Sequence, residues 1–130
     1  DMSKKILLVD DDQDFTMMNE AVLLNLGYEV EKASSAQEGL DKIKEFKPDL
    51  VILDLMMEHY DSGFTLSHKI KSNPETKDIP LVMVTSVRRE TEMVFDARTH
   101  EEKEWIKVDG FLEKPISPED LSATVTKYIK

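Results

Sequence analysis

Along this chain, short apolar runs alternate with longer stretches in which apolar residues recur every three or four positions. The runs at 5–9, 28–33, 50–54, 81–85 and 110–113 are read as strands, and the first, third and fourth are nearly continuous in Ile, Leu, Val and Met. Such runs suit strands covered on both faces, as in a parallel sheet flanked by helices. Between them, Phe15, Met18, Val22 and Leu26 keep helical spacing, with Gly27 as a stop. Ser35 and Glu38 form a capping-box pattern ahead of Leu40 and Ile43, and Pro48 closes that helix. A third helix is expected over 62–72, ending at Asn73-Pro74. The last starts at Ser117-Pro118, a cap followed by proline in the first turn, and turns Leu121, Val125 and Tyr128 inward. The alternation predicts the α/β class. The stretch 88–107 fits least well: Met93, Val94, Phe95 and Ala97 can line a helix, but 98–104 is a polar, mostly charged run without an inward face. An irregular or extended fourth crossover is expected there.

Composition narrows the class. A chain of 130 residues, 40% of them hydrophobic, suits one domain, taken as residues 2–130. A formal net charge of −10 argues against direct binding to nucleic acid or to an anionic membrane. There is no cysteine, so disulfides and thiolate metal sites are excluded. No run is long enough to span a bilayer or to form the apolar core of a signal peptide, and a cytoplasmic protein is expected. Met17, Met18 and Met93 read as core or gap-filling residues, and Trp105 as an anchor for the long fourth connection.

The chemistry gathers at the strand ends. In open parallel sheets, ligands bind beyond the carboxyl edge, where the winding direction reverses. Strand one runs into Asp10, Asp11 and Asp12, strand three ends on Asp54, strand four on Thr85-Ser86, and strand five on Lys114-Pro115. Taken singly, each has an ordinary explanation: acids cap helices, threonine favours strands and lysine solubilises. Acid, acid, hydroxyl and amine delivered to one edge point instead to a site. Crowded carboxylates repel one another unless a cation neutralises them. Carboxylate oxygens suit magnesium, and three scattered histidines without cysteine make zinc a poor fit; calcium shares the oxygen chemistry, but the acid spacing is not that of its twelve-residue loop. Asp54, on the rim of the buried sheet, is the candidate nucleophile for an aspartyl phosphate. Lys114 is the candidate ammonium for the phosphoryl group, and the Thr85 hydroxyl a further donor.

These residues resemble the receiver domain of two-component response regulators over essentially the whole chain, and are similar to the chemotaxis response regulator. The linked segments are 6–12, 49–57, 80–86 and 109–115. The resemblance implies a flavodoxin-like, doubly wound, five-stranded parallel sheet in the order 2-1-3-4-5, with helices on both faces. It implies that Asp54 accepts a phosphoryl group from a histidine kinase or phosphotransfer protein in a magnesium-dependent reaction. Asp10 and Asp11 would serve the metal, Asp11 as direct ligand, together with Asp54 and the Met56 backbone carbonyl, while Asp12 is local charge or a helix cap. Thr85 and Phe111 would be the switch residues that signal to a downstream effector. The domain would catalyse its own modification without being an enzyme in the ordinary sense. Two departures stand out: the loop 58–63 lacks the proline common after Met57, and Thr85 to Lys114 is several residues longer than usual, with Lys107-Val108 replacing a small pair.

Three other readings stay open. A magnesium-dependent phosphatase resembling the haloacid dehalogenases would carry a second aspartate where Met56 stands. A flavodoxin would find its flavin phosphate repelled by Asp10 to Asp12. A receiver-like interaction domain that is never phosphorylated would have little use for the full acidic, hydroxyl and lysine set.

Overall fold

The computed structural model describes residues 3–54, 62–86 and 108–129. Its elements are β1 (Lys5–Val9), α1 (Gln13–Asn25), β2 (Glu29–Ala33), α2 (Ala36–Phe46), β3 (Leu50–Asp54), α3 (Ser62–Ser72), β4 (Leu81–Ser86), β5 (Gly110–Lys114) and α4 (Pro118–Tyr128). The five strands form one sheet in the order β2-β1-β3-β4-β5, with every neighbouring pair parallel. The expected α/β class and strand order are both present. The expected irregular crossover at 88–107, with Met93 and Trp105, lies outside the described residues.

Strand alternation sends side chains to two opposite cores. On one face Leu7, Val9, Val51, Leu53, Leu81 and Met83 meet Ile43 of α2 and Leu66 and Ile70 of α3. On the other, Ile6, Leu8, Leu50, Ile52, Val82 and Val84 meet Phe15 and Leu23 of α1 and Leu121 and Val125 of α4. β1 and β3 lie inside the sheet and are apolar on both faces, whereas β2 is an edge strand reading Glu-Val-Glu-Lys-Ala. Charges along an edge discourage pairing with another chain.

Local sequence sets the helix ends. Asp12, Ser35 and Ser117 cap α1, α2 and α4, each accepting a bond from the backbone N–H three residues on. Glu38 completes its part of the α2 cap by accepting from the Ser34 backbone N–H at 2.7 Å, one residue earlier than the capping-box pattern implies. That hydrogen bond, with the Ser34 hydroxyl and Lys42, holds the Glu38 carboxyl below its ordinary pKa. Gly27, at φ +99, takes the left-handed turn after α1.

The inward face of α1 differs from the one its periodicity suggests. Phe15, Thr16, Asn19 and Leu23 are buried, while Met17, Met18 and Leu26 are exposed. The helix is rotated so that two polar residues lie inside, because both satisfy themselves locally. The Thr16 hydroxyl donates to the Gln13 carbonyl at 3.1 Å, and the Asn19 amide donates to the Phe15 carbonyl at 2.8 Å. Met17 and Met18 are therefore surface residues and not core fillers.

The amino-terminal end of β5 depends on a close approach. A Cβ built on Gly110 would collide with the Tyr128 hydroxyl, which donates to the Asp109 carbonyl at 2.8 Å. Gly110→Ala is expected to destabilise the domain by about 1–3 kcal/mol in urea unfolding. Adding Tyr128→Phe should recover part of that loss. Equal stability of Gly110→Ala and the parent would contradict this packing.

Candidate functional site

The order of the strands reverses at β1 and β3, and their carboxyl ends form the rim of the site. Val9 pairs with Leu53, so the next residues, Asp10 and Asp54, stand side by side. Asp54 in turn pairs with Val84, and Ser86 with Lys114. Asp10, Asp54 and Lys114 follow Leu8, Ile52 and Leu112 at the two-residue strand period, so they cap the core layer that contains Phe15. Asp10 and Asp54 are only 2% and 5% exposed.

Carboxylate oxygens of Asp10, Asp11 and Asp54 lie within 4.8 Å of one another, with Asp11 the exposed member. The Lys114 ammonium sits 2.9 Å from Asp10 Oδ2 and 3.9 Å from Asp54 Oδ2. Burial depresses the Lys114 pKa, but its hydrogen bond to Asp10 and the charges of Asp10, Asp54 and Asp12 outweigh that effect, leaving it above the usual value for lysine. Lys114 is thus a fixed cation throughout the physiological range. Asp12 ties the first turn of α1 to the site: its N–H donates to Asp10 Oδ1 at 2.9 Å, and its carboxylate accepts from the Phe15 N–H at 3.1 Å.

Among the described residues, the Lys114 ammonium is the cation beside the Asp10, Asp11 and Asp54 carboxylates. The donor set there is all oxygen and close-packed, which fits a hard divalent cation such as magnesium. Asp10 accepts from the Asp12 N–H through Oδ1 and pairs with Lys114 through Oδ2, and Asp11 is the exposed residue of the three.

Of the residues expected from sequence, Asp10, Asp11, Asp54 and Lys114 are brought together. Thr85 is buried at the end of β4, one position past the Asp54 partner Val84, and strand alternation directs its Cβ to the Met83 side of the sheet. Phe111 on β5 is exposed. Met56, expected to lend a carbonyl, and the loop 58–61 lie outside the described residues. Two features had no signal in the sequence. One is the ion pair of Lys114 with Asp10, closer than that with Asp54. The other is the Phe15 ring, whose centroid lies 4.3 Å from Lys114 Nζ. Both join residues about a hundred positions apart, beyond the reach of local pattern.

Residues 6–126 match the family model described as the response regulator receiver domain. The chain is 30% identical over 129 residues to the alkaline phosphatase synthesis transcriptional regulatory protein PhoP of Bacillus subtilis, covering 99% of this chain and 50% of that protein. It is likewise 30% identical over 129 residues to the phosphate regulon transcriptional regulatory protein PhoB of Pseudomonas aeruginosa, covering 99% of this chain and 53% of the relative. The chain spans about half the length of these curated relatives. Among solved structures, the chemotaxis protein CheY4 of Vibrio cholerae superposes with a TM-score of 0.82 at 28% identity, over 98% of this chain and 99% of that one.

Proposed function

The chain belongs to the response regulator receiver domain family, and from that premise we propose that Asp54 is its phosphoacceptor and that residues 2–130 act as one receiver domain. Receiver domains signal through phosphorylation, bind magnesium at an acidic cluster, and work between histidine kinases and downstream effectors. The observation that carries the residue assignment is the meeting of the Asp10, Asp11 and Asp54 carboxylates with the Lys114 ammonium at one sheet edge.

In the proposed reaction, a carboxylate oxygen of Asp54 attacks the phosphorus of a phosphohistidine on a kinase or phosphotransfer protein. An O–P bond forms as the N–P bond breaks, and the imidazole nitrogen leaves with the bonding pair. The ammonium of Lys114, already 3.9 Å from Asp54 Oδ2, offsets the charge on the phosphoryl oxygens. Thr85 donates its hydroxyl to a phosphoryl oxygen once the end of β4 adjusts, and Phe111 changes its exposure to report the event. The domain in this sense catalyses its own modification. A magnesium ion held by Asp11, with Asp10, Asp54 and the Met56 carbonyl, would neutralise the crowded carboxylates and the phosphoryl oxygens. The acidic surface suits protein partners over nucleic acid. Among the described residues no helix is long and apolar enough to cross a membrane; action in the cytoplasm is part of the proposal.

Uptake of acid-labile phosphate from acetyl phosphate tests this reading. Labelling is expected with magnesium and is expected to vanish when the metal is chelated. Asp11→Ala should weaken magnesium binding at least about tenfold in a fluorescence titration. Labelling that is indifferent to magnesium, or unchanged affinity in Asp11→Ala, would reject the metal assignment.

A further inference from the structure

The side wall of the site is aromatic. Lys114 leaves the end of β5 and reaches across the top of the sheet, and its Nζ lies 4.3 Å from the centre of the Phe15 ring. The same nitrogen is 2.9 Å from Asp10 and 3.9 Å from Asp54, so among the described residues the ring and two carboxylates fix where the charge stands. We infer that Phe15 is a positioning residue for phosphoryl transfer, its ring face holding the Lys114 ammonium beside Asp54. This inference rests on the reading of Lys114 as the cation that meets the phosphoryl group.

The ring is built to hold a position. Phe15 is 8% exposed, and its backbone is pinned at both ends: the Asp12 carboxylate accepts from its N–H, and the Asn19 amide donates to its carbonyl at 2.8 Å. A lysine that merely laid its methylene stem on a core residue would carry its ammonium out to water. Here the nitrogen itself lies over the ring, and the Lys114 side chain is only 20% exposed. An aromatic face attracts a cation most strongly where water is scarce. The ammonium rests on Asp10 and against the ring together, and from that seat a small shift brings it to a phosphoryl oxygen on Asp54.

The test is a double-mutant cycle on phosphate uptake from acetyl phosphate at saturating magnesium. Phe15→Leu, which keeps apolar bulk and removes the ring, is expected to slow uptake roughly three- to tenfold while leaving magnesium affinity unchanged. Phe15→Tyr, which keeps the ring, is expected to restore the rate. In the Lys114→Ala background, Phe15→Leu should have no further effect. Full activity of Phe15→Leu, or an equal slowing with and without Lys114, would overturn the inference. A parent-like rate in Lys114→Ala alone would reject the role of the lysine itself, which separates the two failures. A second measurement is independent of any folding defect in the variants: in the parent protein the Lys114 ε-methylene proton resonances should be displaced upfield by the ring current. Resonances at ordinary lysine positions would also overturn the inference.

Discussion

Asp54→Asn is expected to take up no acid-labile phosphate under conditions that label the parent domain fully, and at the same time to be the more stable protein without metal. Loss of uptake follows from chemistry, since an amide oxygen is no nucleophile toward phosphorus and Asp54 is the carboxylate that β3 itself carries. The gain in stability follows from geometry. Asp54 is 5% exposed and shares its surroundings with the Asp10 and Asp11 carboxylates, while the nearby ammonium lies closer to Asp10. Removing one of three crowded negative charges relieves repulsion that the fold otherwise bears. A gain of about 1 kcal/mol is expected in urea unfolding with metal chelated. Added magnesium should reverse the order, because it stabilises in proportion to its binding and the parent binds it more tightly. Retained labelling in Asp54→Asn would remove the assignment of the acceptor.

Lys114→Ala should separate catalysis from metal binding. Phosphate uptake is expected to fall about 10²–10³-fold, the scale for removing one positioned charge-stabilising group. Magnesium should bind at least as tightly, since the variant lacks the cation that competes for Asp10. Stability should fall by about 1–3 kcal/mol, because the buried Asp10 carboxylate loses its 2.9 Å partner. The pH dependence has a definite sign. The Lys114 pKa is raised above its ordinary 10.5, so its contribution is complete below that value and declines only as pH rises through the higher folded one. The stability gap between parent and variant should therefore be flat between about pH 7 and pH 9. A variant that phosphorylates at the parent rate would contradict the role given to Lys114.

Much of the framework was legible because it is written locally. The apolar runs around Leu7, Ile52 and Val82 mark strands buried on both faces, and each lies within a residue of its observed limits. Asp12, Ser35 and Ser117 announce helix starts through short-range chemistry. Asp10, Asp54 and Lys114 were legible as a set because a parallel sheet presents every strand end at one edge. The rotation of α1 was not legible: Met18 and Leu26 look like core residues by type, and only tertiary packing shows that Thr16 and Asn19 take the inner positions with their own backbone partners. The pairing of Lys114 with Asp10 and Phe15 was equally hidden, since it depends on how β5 lies beside β4 and how α1 leaves β1.

The central claim is chemical, and borohydride trapping tests it most directly. Reduction of an aspartyl phosphate leaves homoserine at the modified position, which peptide mass spectrometry locates. After treatment with acetyl phosphate and magnesium, homoserine is expected at position 54. Homoserine at position 10 or 11, or none in protein that has demonstrably taken up phosphate, would contradict the account.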